Sequence, residues 1–122
     1  MLKAEKWFGY EFDGGCSTTE EYEKFQRDCK SDLKKMASDN GMELYEFNKN
    51  HFCFSAVLSE GEKFIYVSIS DVRKFGWKSD TEVLIRIMKH ANDLSGGGEI
   101  HYCKWDKVGE VARKLMGRDY AK

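Results

Sequence analysis

The feature that most restricts the fold is a change of period at Asn40-Gly41. Before it, Tyr22, Phe25, Cys29, Leu33 and Met36 recur at three- and four-residue steps. That spacing puts them on one face of a helix. Ser17-Thr18-Thr19-Glu20 has the spacing of a capping box, so the helix is expected to run from there to about Asp39. Asn40-Gly41 is a fitting stop, because glycine enters the left-handed conformation at little steric cost. After it the pattern becomes that of strands. Runs such as FCFSAVL and KFIYVSI are dense in β-formers and separated by short Asn- and Gly-containing turns. Strands are expected over Met42 to Phe47, His51 to Leu58 and Lys63 to Ser70, as an antiparallel meander.

Outside this block the signals are shorter. Glu5 to Asp13, with Trp7, Phe8, Tyr10 and Phe12, reads as a further strand. Thr81 to Asn92 reads as a second helix, its stripe being Val83, Leu84, Ile87, Met88 and Ala91. Ser95 to Gly98 is a loop and Glu99 to Trp105 an extended link. Asp106 opens a third helix with a face of Val108, Val111, Ala112, Leu115 and Met116. The expected fold is α+β, in the order β-α-β-β-β-α-α, with an antiparallel sheet and helices packed on one face. Burying one face of each strand and one stripe of each helix requires such layers. At 122 residues the chain, 1–122, is expected to be a single domain with a real core.

A near balance of charge, 20 basic against 21 acidic residues, assigns no polyanionic partner by bulk electrostatics. A basic surface must be local. The start MLKAEKWFGYEF has no apolar export segment and no stretch is long enough to span a bilayer. A cytoplasmic protein with reduced thiols is therefore expected, with no membrane partner.

Several groups of residues invite a chemical reading. His51 and Cys53, and again His101 and Cys103, repeat an H-x-C spacing, with His90 between them. Imidazole and thiolate suit zinc, but a closed site needs two such strands side by side. Cys103 with His101 or His90 could form a nucleophile–base pair, which also requires an orienting third group. Gly96-Gly97-Gly98 lacks the Lys-Ser/Thr of a phosphate-binding loop and is better explained as a joint. The preferred candidate is Arg73, Lys74, Phe75, Trp77 and Lys78, where cations interleave with large aromatics. That mixture suits a protein interface and equally a nucleic acid. Stripes on the helices (Arg27, Lys30 and Lys34; Lys107, Lys114 and Arg118) read as solvated faces.

The α-β-β-β-α order expected from Thr19 to Asn92 resembles that of double-stranded-RNA-binding domains. Their lysine cluster at the start of the last helix is replaced here by the acidic SDTEVL. The segments Val67-Ser68-Ile69-Ser70-Asp71-Val72-Arg73 and Lys89-His90-Ala91-Asn92-Asp93-Leu94-Ser95-Gly96-Gly97 resemble small proteins of phages and conjugative elements in Gram-positive bacteria. By analogy of size and type, that resemblance implies an inhibitor of the anti-CRISPR kind. The expectation is a non-enzymatic binding module without cofactor, acting on a larger protein or nucleoprotein, for which a host defence nuclease is one instance. Direct RNA or DNA binding is the alternative, and a small metal-dependent or cysteine enzyme the third reading.

Overall fold

The long helix is where its stripe put it. α1 spans Glu20–Asp39 and buries Tyr22, Phe25, Cys29, Leu33 and Met36. It ends in a Schellman motif. Met42 N donates to the Ala37 carbonyl at 2.8 Å and Gly41 N to that of Ser38 at 3.2 Å, with Gly41 at φ 74°. The structure is a computed structural model that describes residues 2–7, 20–49, 54–69, 83–88 and 100–118.

Among the described residues five strands follow, all antiparallel and in sequential order β1-β2-β3-β4-β5. They are β1 (Glu43–Asn48), β2 (Phe54–Glu60), β3 (Lys63–Ile69), β4 (Val83–Met88) and β5 (Ile100–Cys103). A 3-10 turn at Trp105–Lys107 leads into α2, Val108–Arg118. The α+β class and the antiparallel sheet agree with the sequence reading, and α1 and α2 pack on one face of that sheet.

Two elements differ from expectation. Val83–Met88 is a strand rather than the middle of a helix. VLIRIM is too short for its apolar positions to separate the two periods, and three of its six residues are β-branched. Placed between β3 and β5, it buries Val83 and Ile85 on the helix side and Arg86 and Met88 on the other. A helix there would leave β3 without its second neighbour. The element order of double-stranded-RNA-binding domains fails at this point. Secondly, Lys3–Trp7 is a 3-10 helix, not the beginning of a strand. Its backbone donors go to a side chain of α1 instead of a neighbouring strand. The remainder of the expected Glu5–Asp13 strand lies outside the described residues.

The main core lies between helices and sheet. Phe25, Cys29 and Leu33 of α1 meet Phe54 and Leu58 of β2 and Ile65 and Val67 of β3. Val108, Ala112, Leu115 and Met116 of α2 close its other half, so four of the five positions expected on that helix are buried. On the opposite face Val57, Tyr66 and Met88 form a second buried cluster. Tyr66 and Arg86 stand directly opposite each other, with the guanidinium carbon 5.1 Å from the ring centroid. This is a cation–π geometry, favoured where water is excluded.

Candidate functional site

Of the residues that carried chemistry in the sequence, His101 and Cys103 are described, and both belong to β5. They share the helix-facing side, Cys103 opposite Val83 and His101 opposite Ile85. Cys103 is buried in the core beside Trp105, and Cys29 is buried in the same core. The zinc reading that joins His101 and Cys103 to His51 and Cys53 has its second pair outside the described residues. Among the described residues no three metal-ligating side chains come together. His51, Cys53 and His90 lie outside the described residues, as do Arg73, Lys74, Phe75, Trp77 and Lys78.

The described surface with the clearest binding character is the rim formed by β5 and α2. Side chains alternate along β5, the last described strand of the sheet, so one row of them points away from the helices. Ile100 and Tyr102 occupy that row and are about half exposed, at 46% and 51%. Only Tyr45 among the other described large apolar side chains is as open. Next to Tyr102 the chain bends at Lys104 and enters α2. Lys107, Val111 and Lys114 follow at helical spacing and face the end of β5 across a groove of about 480 Å³. Lys107 is 3.5 Å from Glu110, a surface pair of little energetic weight. Lys104 and Lys114 have no ion pair among the described residues. Three lysines and one glutamate therefore line the groove. Lys107 and Lys114 formed part of an ordinary solvated stripe in the sequence. The fold adds the half-exposed aromatic and the third cation.

Buried contacts back this rim. Trp105 is fully buried, packs edge-on against Phe54 at 6.0 Å, and donates its indole N–H to Asp32 Oδ2 at 3.2 Å. The same carboxylate accepts the backbone N–H groups of Lys3 and Ala4, both at 2.8 Å. One turn earlier, Asp28 accepts the Trp7 indole N–H at 2.8 Å and pairs with Lys6 at 3.1 Å. Asp32 thus ties the N-terminal segment, α1 and the start of α2 together. Nothing in the helix stripe marks it except that a polar residue stands immediately before the buried Leu33.

Midway along α2, Arg113 makes a two-pronged contact with Glu60, at 2.7 and 3.0 Å, and donates to the Asn40 carbonyl. The guanidinium holds the Glu60 carboxyl below the usual carboxylate range, and Arg113 is raised in turn. The contact links α2 to the end of β2 and to the stop of α1.

No family model, curated protein or solved structure matches the chain. No described helix is long and apolar enough to cross a membrane.

Proposed function

We propose that the chain is a non-enzymatic binding module that docks on a larger protein or nucleoprotein and modulates it, using the β5–α2 rim. The observation that carries this reading is the half-exposed Tyr102, flanked by Ile100 and by Lys104, Lys107 and Lys114. An amphipathic aromatic has few side-chain torsions to fix on contact, and aromatic anchors dominate interface energies. The surrounding lysines favour an acidic partner surface and speed encounter. Arg73, Lys74, Phe75, Trp77 and Lys78 enter the proposal as a second contact of the same composition. A host defence nuclease, met in the cytoplasm by an anti-CRISPR-like inhibitor from a phage or mobile element, is the partner class that the resemblance implies.

The test is recovery of partners from bacterial lysate on the immobilised protein, with and without nuclease. Wild type is compared with Tyr102→Ala and with Lys104→Glu/Lys107→Glu/Lys114→Glu. The expected result is a protein recovered in both nuclease conditions by wild type and lost by both variants while their thermal melts stay intact. Retention by both variants removes the rim from the proposal.

A second reading, direct nucleic-acid binding, is favoured by the same lysines. Three phosphate contacts correspond to a slope of roughly −2 to −3 in log affinity against log salt. A flat salt response rules this second reading out.

A further inference from the structure

A second groove lies on the other side of the molecule, between α1 and the outer edge of β1, with a volume of about 620 Å³. β1 is the first strand of the sheet and, among the described residues, pairs with β2 alone. Gln26, Arg27 and Lys30 form the helical wall, and Phe47 and Lys49 the strand wall. The two walls are tied where Gln26 Nε2 donates to the Lys49 carbonyl at 2.9 Å. Phe47 is fixed by stacking on Phe54, 5.0 Å between centroids, and Lys30 Nζ stands 5.9 Å from the Phe47 ring.

Lys24 pairs with Glu20 at 3.6 Å, Lys35 with Asp39 at 2.8 Å, and Asp28 with Lys6. Arg27, Lys30 and Lys49 make no ion pair among the described residues, although Glu23 and Glu46 also stand on the rim. Three cations against two carboxylates leave the described lining of the groove with an excess of one positive charge. The edge is guarded elsewhere: a register break between Leu44 and Glu46 disrupts regular pairing at the start of β1. The stretch facing Arg27 and Lys30 has no such break.

We infer that this groove takes an extended, acidic segment of a partner protein, added to the sheet as a strand beside β1. Main-chain bonds to an open edge supply affinity in this mode, and side-chain pockets supply specificity. Alternate residues of the added strand face the helix about 7 Å apart. Arg27 and Lys30 rise about 4.5 Å along α1 and carry long side chains that span the difference. Two carboxylates at i and i+2 would thus meet Arg27 and Lys30. The residue between them would face the other side of the sheet, beside the 57%-exposed Tyr45, and is apolar. The recognised pattern is acid–apolar–acid. This surface is distinct from the β5–α2 rim, and either can fail without the other.

The experiment is an amide NMR titration of the full-length, ¹⁵N-labelled protein with a blocked heptapeptide alternating glutamate and valine. The same peptide with lysine in place of glutamate, and an oligothymidylate, serve as comparison probes. Shifts are expected to cluster at residues 26–30 and 46–49, with slowed amide exchange in β1. Arg27→Glu/Lys30→Glu is expected to weaken the acidic peptide at least 10-fold, and Glu46→Gln to tighten it. Lys49→Glu provides an independent loss if the double variant melts early. Shifts elsewhere, equal binding of the lysine peptide, or no effect of charge reversal overturns the inference. Binding of oligothymidylate in the groove without the peptide overturns it in favour of nucleic acid.

Discussion

Replacing Asp32 by alanine tests how the rim is built. Asp32 is 3% exposed and accepts three N–H groups from two distant parts of the chain. Lys3 is exposed, so its amide can turn to water. Ala4 N and the Trp105 indole are buried and cannot do so without movement. A buried donor stranded in this way costs about 1–3 kcal/mol, which sets the loss at about 2–6 kcal/mol for the two. The upper end is reduced if the N-terminal segment lifts away, although that exposes Ala4 and Trp7. Taking about 4 kcal/mol, and about 3–4 °C per kcal/mol for a domain of this size, the melting temperature should fall by roughly 12–16 °C. Thermal melts followed together by far-ultraviolet circular dichroism and tryptophan fluorescence measure it. Removing residues 1–7 from both wild type and variant closes a double-mutant cycle, and the Asp32 penalty should shrink in the truncated pair. A loss below about 1 kcal/mol, or no coupling to the truncation, would refute the view that this carboxylate clamps the three elements.

Other expectations follow from the same packing. Ile85→Ala should cost about 2–5 kcal/mol in urea unfolding, because Ile85 is fully buried in strand β4. A helix over the same residues would leave Ile85 off the apolar stripe, so a near-neutral result contradicts the strand. Gly109→Ala should destabilise by about 1–3 kcal/mol, since a Cβ there meets Asn40 Nδ2 at 2.5 Å and the Met36 carbonyl at 3.1 Å, where α2 crosses the end of α1. Glu60 has a depressed folded pKa, so the stability it adds is fully present above its unfolded value of about 4.3 and is lost as pH falls through the folded one. Melting temperature against pH should therefore drop less between pH 5 and 3 in Glu60→Gln than in wild type; an identical slope removes the Arg113–Glu60 contact as a source of acid sensitivity.

The legible parts of the fold are those in which one local pattern admits one structure. Five apolar residues over four helical turns leave α1 no alternative, and Asn40-Gly41 stops it by a motif that is local in sequence. The β2–β3 hairpin is similar, because both runs are long and a short glycine turn joins them. The site was less legible. Lys107 and Lys114, and Arg27 and Lys30, are visible as helical stripes, but a stripe does not reveal the strand edge it will face. Tyr102, Phe47 and Lys49 acquire meaning only from that edge.

The sequence by itself therefore determined the amphipathic helix, its stop, the meander that follows and the apolar face of α2, since each is encoded within a few turns or one hairpin. Tertiary structure alone decided that Val83–Met88 is a strand, that Lys3–Trp7 is a 3-10 turn held by Asp28 and Asp32, and which cations border a groove. In a six-residue apolar run the helical and extended periods are nearly degenerate. The choice falls to the hydrogen bonds and buried faces that β3 and β5 offer, and those neighbours come from distant parts of the chain.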